Sequence, residues 1–488
     1  MIAKSPIVKH LVLIGGGHSH LAVLKHLGMH PVPGLAVTLI SRDINVPYSG
    51  LLPGFISGIY DAKEIFVDLR PLAQFAKARI IQADIKNIDL NDKKLILPNR
   101  PNISFDLLSL NIGSEPNLSM VPGAQDHAIG IKPLPAFLEL WPQLLQRAIS
   151  TLTQKEQFKF AIVGGGPASV ELAFSIQHRI ENDLNLKSKE KSNLQIQIIS
   201  AEKTLLQFHN NRVRSFAAKE LTTRNIDILL KKKMSACEKG IIVCEDETEI
   251  TADAIICATG ASLPSWPAEC GLAISQDGFI EVDSFLKSTS HDYVFAAGDA
   301  ATIKGQKRPK SGVYAVRQGL PLAKNLIRHA TSKRLKKYKP QTHALALMSM
   351  GNKTAIASRN KFFMHGRIAW LIKDRIDINF VKKYSNFPQM DNNLGLEKGL
   401  VDNKTQHLLE SHAMRCAGCG AKVANSVLQD VLHQLPNTEK QEILTNFSSA
   451  EDAALIQLGD NKVLLQSVDQ IKAFINDPWV FARIATNH

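Results

Sequence analysis

The sequence predicts an α/β fold in which two similar units each contain a parallel sheet flanked by helices. The first observation is a repeat, since residues 11–27 (LVLIGGGHSHLAVLKHL) return at 160–176 (FAIVGGGPASVELAFSI) as a strand, a glycine turn and a helix. A second repeat, 106–113 and 253–260, is a buried type of strand that glycine ends. The third observation is a short apolar strand that runs into a Gly-Asp pair (YVFAAGDAA). Together these patterns predict two Rossmann-like dinucleotide-binding domains.

Length and composition agree with a large globular protein. At about 150 residues per domain, the 488 residues suggest three compact units. The 44% apolar content is ordinary for such a chain. No run of 18 apolar residues and no signal-peptide pattern is present, so we expect a cytoplasmic protein. The six cysteines, of which Cys237 is the first, do not form a disulfide framework.

The formal charge of +13 comes largely from three basic clusters, at residues 231–233, 304–310 and 333–339. Such clusters are most often solvated faces. The alternative is attraction to an anionic membrane surface or to ligands that carry phosphate. No nucleic acid partner is expected, because aromatic residues do not alternate with the basic ones.

The two glycine turns are the predicted phosphate-binding elements. Gly15, Gly16 and Gly17 form the first turn, and Gly164 and Gly166 belong to the second. Glycine is needed there because a Cβ would keep the backbone away from a pyrophosphate, which free N–H groups and the helix dipole then hold.

Histidines follow the first turn. His18 is a candidate phosphate contact, and the alternative is that it serves only the structure of the helix start. The third glycine of the usual fingerprint is missing from both loops, where His20 and Ser169 stand instead. Serine is small enough for close packing of the helix, whereas His20 is a departure from the pattern.

Acidic residues near strand ends are candidate contacts to the sugars of the two dinucleotides. Asp43 and Glu202 each follow a β-rich run by two residues and are candidates for a ribose diol. The last position of each run is a serine, Ser41 or Ser200. Asp299, directly after Gly298, is expected to bond the sugar hydroxyls of a bound flavin.

These parts in this order resemble the two-dinucleotide-binding flavoproteins. The resemblance implies an FAD-binding domain at 1–130 and 280–340, with an NAD(P)H-binding domain at 131–279 between its parts. No cysteine precedes Cys237, which excludes the dithiol relay of the disulfide reductases. The chain is then closer to type II NADH dehydrogenases, which pass electrons directly to an acceptor such as a quinone. Glu171 matches their acid near the nicotinamide and flavin rings, although a helix-surface glutamate is an equally good interpretation.

A narrower resemblance rests on PYSGLLPG (residues 47–54) and on residues 307–319 and 357–384. These segments are similar to the oxidoreductase half of bifunctional proteins fused to selenide, water dikinase. The resemblance implies a C-terminal extension of the oxidoreductase at 341–385 and places Lys310 near the flavin, although an ordinary surface lysine is the default interpretation of that residue. The mixed apolar and basic run within that extension predicts an amphipathic helix, which either lies on a membrane or packs on the flavin domain.

The polar segment 386–411 reads as a linker, and residues 412–488 as a separate module. This module begins with RCAGCGAK, in which the CxxC pair lacks the second Cys/His pair of a zinc site, so a reactive thiol beside a lysine is the better interpretation. The segment resembles the start of selenide, water dikinase, which makes selenophosphate from selenide and ATP. The resemblance implies a partial α+β selenophosphate synthetase module, with these residues as catalytic groups and as ligands of the magnesium on ATP: Cys419, Lys422, Asp452 and Asp469. Because that family continues much further, we expect a truncated kinase module without activity of its own.

The sequence therefore predicts an FAD-dependent NAD(P)H oxidoreductase linked to selenium metabolism and joined to a truncated selenide, water dikinase. Two alternatives stay open: a type II NADH:quinone oxidoreductase with an inactive tail, and a flavin-bearing scaffold that delivers selenium. The expected cofactors are FAD and NADH or NADPH, with magnesium and ATP for the kinase module. The expected partners are the pyridine nucleotide, an electron acceptor and selenium species, with a partner kinase, a second copy of the chain or the cytoplasmic face of a membrane as further candidates.

Overall fold

The structure is a computed structural model. It describes residues 8–85, 87–97, 100–116, 118–185, 193–306, 308–388, 442, 444, 453–459, 462–467 and 477–487. The chain divides into a large unit, residues 3–388, and a smaller one formed by residues 389–488 with residues 1–2.

The first half of the large unit alternates strands and helices as the sequence predicts. Its elements are β1 (Lys9–Ile14), α1 (His18–Met29), β2 (Leu35–Ser41), β3 (Asn45–Pro47), α2 (Leu52–Ile56), α3 (Ala62–Ile65), β4 (Phe66–Asp68), α4 (Leu69–Phe75), β5 (Arg79–Gln82), β6 (Asn87–Asp89), β7 (Lys94–Ile96), β8 (Ile103–Ser104) and β9 (Leu107–Leu110).

The middle of the unit repeats this alternation. Its elements are β10 (Glu115–Pro116), α5 (Ala124–His127), β11 (Ile129–Gly130), α6 (Leu134–Thr153), β12 (Phe158–Val163), α7 (Pro167–Asp183), β13 (Leu194–Ser200), α8 (Asn211–Thr223), β14 (Ile226–Leu230), β15 (Met234–Glu238), β16 (Ile241–Cys244), β17 (Glu249–Thr251), β18 (Ala254–Cys257), β19 (Ala261–Ser262) and α9 (Trp266–Glu269).

The remaining elements return to the first half and then extend it. They are β20 (Ile280–Val282), β21 (Val294–Ala296), β22 (Ala301–Ile303), α10 (Gly312–Ala330), β23 (Ala346–Ser349), β24 (Ala355–Arg359), β25 (Phe362–Gly366) and α11 (Arg367–Ser385). The described part of the smaller unit contains the hairpin β26 (Ala453–Gln457) and β27 (Val463–Ser467) and the helix α12 (Pro478–Asn487).

Two five-stranded parallel sheets form the framework of the large unit. The first has the order β21-β9-β1-β2-β5, and the second has the order β11-β18-β12-β13-β14. The last four residues of β1 are almost completely buried, as expected for a strand covered on both faces. The edge strand β21 follows the strands of the second sheet in the sequence but pairs with β9 of the first sheet. The second domain is therefore inserted into the first.

The duplication extends beyond the glycine turns. In each half, a three-stranded antiparallel sheet, β6-β7-β8 or β15-β16-β17, precedes the closing strand, β9 or β18. An aspartate stands before each closing strand and accepts a backbone N–H from the second residue of the first strand: Asp106 from His10 and Asp253 from Lys159, both at 2.7 Å. The same residue type therefore fixes the same strand pair in both halves.

The predicted domain limits can be placed on this framework. The limit at residues 130/131 falls at the end of β11, which already belongs to the second sheet. The predicted extension at 341–385 corresponds to the antiparallel sheet β23-β24-β25 and to α11, at the position of the predicted amphipathic helix. Of the predicted linker, only residues 386–388 are among the described residues.

Candidate functional site

The first glycine turn packs against the residue that follows the closing strand, Asn111. A Cβ on Gly15 would lie 2.5 Å from the Asn111 carbonyl oxygen, and one on Gly17 would lie 2.4 Å from its side-chain oxygen. Gly15 also has a φ of +91°. Residues other than glycine are excluded at both positions, because a Cβ would clash with the backbone or with the buried side-chain amide of Asn111.

Asn111 holds the start of α1 in place. Its side-chain oxygen accepts the backbone N–H groups of Ser19 (2.9 Å) and His20 (3.2 Å), and its amide group donates to the Ala297 carbonyl (2.8 Å). The residue is buried. It therefore satisfies the free N–H of Ser19, shares the N–H of His20 with the Gly17 carbonyl, and joins the two separate parts of the first domain. The sequence analysis missed this residue, although its place at the end of a closing strand could have drawn attention to it.

His20 explains why the first loop lacks its third glycine. The imidazole is fully buried, with Nδ1 2.7 Å from the Gly15 carbonyl oxygen and Nε2 2.9 Å from the Ser109 hydroxyl. Nδ1 must donate to the carbonyl, so Nε2 accepts from the hydroxyl. Burial lowers the pKa of His20 to about 4, and the hydrogen bond that it donates to the Gly15 carbonyl opposes this shift. His20 is thus a neutral structural residue that connects β1, α1 and β9.

His18 lies beside the loop that follows β3. Its ring centroid is 5.3 Å from that of Tyr48 and 5.4 Å from that of Phe380, and the Tyr48 and Phe380 rings stack at 4.2 Å. A Cβ on Gly312, the first residue of α10, would be 3.6 Å from the His18 ring. Burial lowers the pKa of His18 to about 4, so its ring is neutral at physiological pH. The arrangement brings the sequence-predicted residue His18 together with the start of α10 and with α11.

Asp299 lies in a short 3₁₀ turn, Gly298–Ala300, at the end of β21. Gly298 has a φ of +71°, and its N–H donates to the buried Gln318 side chain on α10 (2.6 Å). The Asp299 carboxylate accepts a hydrogen bond from the Lys132 ammonium at 2.7 Å. Lys132, which follows β11 of the second sheet, is a second site residue that no sequence pattern marked.

Lys310 is half-buried and is not the surface lysine that its sequence context also allowed. Its ammonium donates to the Ala301 carbonyl (2.7 Å) and to the Thr302 hydroxyl (2.8 Å), and it lies 3.6 Å from the centre of the Phe279 ring. Burial lowers the pKa of Lys310 to about 8, while Asp277 and Asp299 oppose this shift. Lys310 and Asp299 line the same pocket next to α10.

The second glycine turn repeats the geometry of the first without the asparagine. A Cβ on Gly164, whose φ is +137°, would lie 2.6 Å from the Ala258 carbonyl oxygen. In the part of the chain that the structure describes, only the chain neighbours come within 4 Å of the Cβ position of Gly166 or of Gly260, which follows β18. The backbone at the start of α7 is therefore open to a ligand, as the prediction for Gly164 and Gly166 requires.

The strands β2 and β13 both end at a serine, as the sequence predicts. The Ser41 hydroxyl donates to the Asp43 carbonyl (2.7 Å), and the Ser200 hydroxyl accepts the Glu202 N–H (3.2 Å). The Asp43 carboxylate pairs with Arg42 at 3.4 Å. The Glu202 side chain is exposed. In both units, the serine side chain is thus bonded to the backbone of the acid that stands two residues after the strand.

Glu171, on α7, bonds to β23 of the extension and lies within reach of the charges of an ion pair on α11. Its Oε1 accepts the Ser349 N–H at 2.7 Å. On α11, Lys373 and Asp377 form an ion pair of 2.6 Å with both side chains 9% exposed, and the Tyr48 hydroxyl donates to Asp377 (3.0 Å). Burial raises the pKa of Glu171 to about 7, although the Lys373 charge and the Ser349 hydrogen bond lower it and Asp377 adds to the rise. Glu171 is therefore a carboxyl group that can exchange a proton near neutral pH.

A model of the pyridine nucleotide-disulphide oxidoreductase family matches residues 9–319, more than half of the 488 residues. The chain belongs to this family. The predicted oxidoreductase class and the predicted two-dinucleotide-binding flavoprotein fold are confirmed, and the family supports FAD and NAD(P)H as the cofactors. The match does not extend to residues 412–488.

Relatives within the pyridine nucleotide-disulphide oxidoreductases act on quinones according to their names. The chain is 25% identical over 394 residues to the type II NADH:quinone oxidoreductase of Haemophilus influenzae. The aligned region covers 73% of this chain and 88% of that protein. It is 23% identical over 337 residues, 63% of its length, to the external alternative NAD(P)H-ubiquinone oxidoreductase B4 of Arabidopsis thaliana mitochondria, and spans 56% of that relative. The structure of NDH2 from Plasmodium falciparum in complex with NADH is similar in fold, with a TM-score of 0.65 at 16% identity over 77% of this chain and 98% of that one.

The residues of this family member fit two dinucleotides. Gly113 and Gly260 occupy equivalent places after the closing strands, and apart from their chain neighbours no described residue comes within 4 Å of either Cβ position. Space is therefore open beside both glycine turns, where the carboxyl ends of parallel strands meet. By this geometry, FAD would be held by the Gly15 turn and Asp299, and the pyridine nucleotide by the Gly166 turn.

The remaining site predictions lie elsewhere. Cys419, Lys422, Asp452 and Asp469 are outside the described residues, so their predicted kinase roles stay predictions. The described cysteines are all free; three of them lie in the second half of the framework, namely Cys237, Cys244 and Cys257, and the fourth is Cys270. Burial raises the pKa of the Cys257 thiol to about 12, which makes it a poor nucleophile.

Proposed function

We propose that this protein is an FAD-dependent NAD(P)H:quinone oxidoreductase, the alternative of the sequence analysis. The proposal rests on a polar cluster at the place where α7, the helix after the second glycine turn, contacts the extension. The cluster consists of Glu171, Lys373, Asp377 and Tyr48. The names of the two relatives point to the same class of acceptor.

The reaction moves one hydride from NAD(P)H and one proton from solvent to the quinone, which leaves as the quinol. FAD supplies the redox chemistry when bound, since it accepts the hydride and delivers two electrons to the acceptor. The chain itself supplies positioning and protons. Glu171, with a pKa of about 7, can hold a proton for the acceptor, and the charge of Lys373 acts on it. Asp377, which accepts the Tyr48 hydroxyl, also accepts the Lys373 ammonium and fixes that side chain.

The extension also gives this site a route to a lipid-soluble acceptor. Helix α11 buries Lys373 and Asp377 on one face and exposes apolar side chains on another, with Ile368 66%, Leu371 57% and Ile376 47% exposed. Basic residues at the helix, such as Arg367 and Arg375, are exposed as well. This pattern favours a helix that lies on a membrane surface. Among the described residues, no helix is long and apolar enough to cross a membrane.

Steady-state reduction of a short-chain ubiquinone by NADH tests this proposal. We expect turnover that falls in a Glu171→Gln variant although FAD content stays unchanged. A matched control is Glu181→Gln, which changes the same residue type ten positions later on the same helix. An enzyme that reduces flavin but transfers no electrons to any quinone would contradict the proposal.

For residues 412–488 we propose the second function that their sequence supports, a part in selenophosphate synthesis. The support is the RCAGCGAK motif and its resemblance to the start of selenide, water dikinase. A thiolate beside an ammonium is suited to bind selenium and a phosphoryl group. The test is AMP and phosphate release from ATP with selenide by the 488-residue chain, with and without an added kinase. We expect release only with the added kinase. Release by the chain alone that disappears in Cys419→Ser would show that the module suffices.

A further inference from the structure

The ends of β13 and β14 form a corner at the second glycine turn. Ser200, the last residue of β13, is 1% exposed, and its hydroxyl is already engaged by the Glu202 N–H. A Cβ on Gly165 would lie 2.3 Å from the same hydroxyl oxygen, so this side chain packs directly under the turn. The last position of the strand therefore carries no charge, and the first charged residues are the next exposed ones, Glu202 and Lys203.

Two backbone hydrogen bonds bring the end of β14 to this corner. The Lys231 N–H donates to the Glu202 carbonyl (3.1 Å), and the Lys232 N–H donates to the Ser200 carbonyl (2.9 Å). Lys231 is exposed and follows β14 directly, with a φ of +58°. Glu202, Lys203 and Lys231 thus form one exposed group of charges, which we call the corner charges.

The corner charges have no ion-pair partner among the described residues, whereas the neighbouring lysines are paired. The next two lysines of the basic run are paired, Lys232 with Asp246 at 2.5 Å and Lys233 with Glu245 at 2.6 Å. Within the described part of the chain, no ion pair involves Glu202, Lys203 or Lys231. The equivalent place in the first half differs, because Asp43 there is paired with Arg42. Among the described residues, this corner of the second half therefore presents charges of both signs without an ion pair beside its glycine turn.

NADH and NADPH differ only in a phosphate on the 2′ oxygen of the adenosine ribose. A carboxylate accepts hydrogen bonds from a ribose diol and repels a phosphate, whereas an ammonium group attracts the phosphate. We propose that the corner charges let the pyridine-nucleotide unit use both nucleotides, Glu202 binding the ribose diol of NADH and the two lysines binding the 2′-phosphate of NADPH. This inference rests on the proposed function, because it concerns the electron donor of the same reaction.

The test is the second-order rate of flavin reduction by each nucleotide. We expect the wild-type rates with NADH and NADPH to lie within about tenfold of each other, since an exposed charge pair is worth little more than that. The double variant Lys203→Gln/Lys231→Gln should slow reduction by NADPH about tenfold and leave NADH nearly unchanged. Glu202→Gln should slow NADH and speed NADPH. Lys233→Gln, a control at an exposed but paired lysine of the same run, should change neither rate.

A double variant that reduces with NADPH as fast as the wild type would overturn the assignment of the lysines. A wild-type preference beyond about a hundredfold for either nucleotide would overturn the dual use. If neither nucleotide reduces the flavin, the proposed function fails instead. In that case calorimetric titration with 2′,5′-ADP and with 5′-AMP still tests the corner, since we expect the 2′-phosphate to strengthen binding in the wild type and not in the double variant. Equal binding of both probes to the wild type would overturn the inference.

Discussion

Replacing Asn111 with alanine should destabilise the flavin domain and weaken its hold on FAD. The side chain makes three buried hydrogen bonds, to the N–H groups of Ser19 and His20 and to the carbonyl of Ala297. Alanine would remove this partner from the Ser19 N–H and the Ala297 carbonyl, at about 1–3 kcal/mol for each unsatisfied group, whereas the His20 N–H keeps its bond to the Gly17 carbonyl (2.9 Å). Partial access of water reduces the sum, so we expect a loss of about 2–4 kcal/mol in the free energy of unfolding. This is a large share of the roughly 5–15 kcal/mol by which domains are stable.

The assay is urea unfolding of the apoprotein together with fluorescence titration of FAD. Asn325→Ala is a matched control, because Asn325 is also fully buried and makes three hydrogen bonds of 2.9 Å, with Phe285 and Lys336. Both variants should lose similar stability, but only Asn111→Ala should also lose FAD affinity, by about tenfold or more. If Asn111→Ala unfolded like the wild type and bound FAD as tightly, Asn111 would not be the residue that organises the loop.

Three further predictions concern Glu171, Asp299 and the cysteines. Glu171 is protonated below its pKa of about 7, so quinone-dependent turnover should fall as the pH rises through 7, and Glu171→Gln should remove this limb of the pH profile; an unchanged profile would exclude Glu171 as the proton donor. Asp299→Ala should weaken FAD binding by about 1.5–3 kcal/mol, the value of a hydrogen bond to a charged group, as measured by flavin release during dialysis; a variant that retains FAD like the wild type would contradict the sugar contact. Alkylating the cysteines of the folded protein should leave flavin reduction by NAD(P)H intact, because hydride transfer requires only contact between the two rings, and loss of bleaching would indicate a thiol step.

The sequence predicted the parts of the fold that local patterns encode. Glycine turns, apolar strands and strand ends are signalled by a few neighbouring residues, so both sheets and the serines that end β2 and β13 could be placed correctly. The order of the parts also identified the family at the level of a flavoprotein. These signals are strong because each one depends on backbone geometry that few residue types allow.

The contacts that complete the site could not be predicted. Lys132 meets Asp299 across 167 positions, and the cluster at Glu171 draws on α11, about 200 positions away. Such pairs depend on how the sheets and helices pack, and no periodic pattern marks them. The half-buried ammonium of Lys310 and the structural imidazole of His20 have the same explanation, since burial is decided by tertiary packing rather than by neighbours in sequence.

Anaerobic mixing of the FAD-loaded protein with one equivalent of NADH, followed by a short-chain ubiquinone, tests the central claim most directly. The account predicts that flavin absorbance is lost after the nucleotide is added and returns after the quinone is added, with one quinol formed per NADH consumed. Flavin that stays oxidised in the presence of both NADH and NADPH, or reduced flavin that the quinone does not reoxidise, would contradict the account.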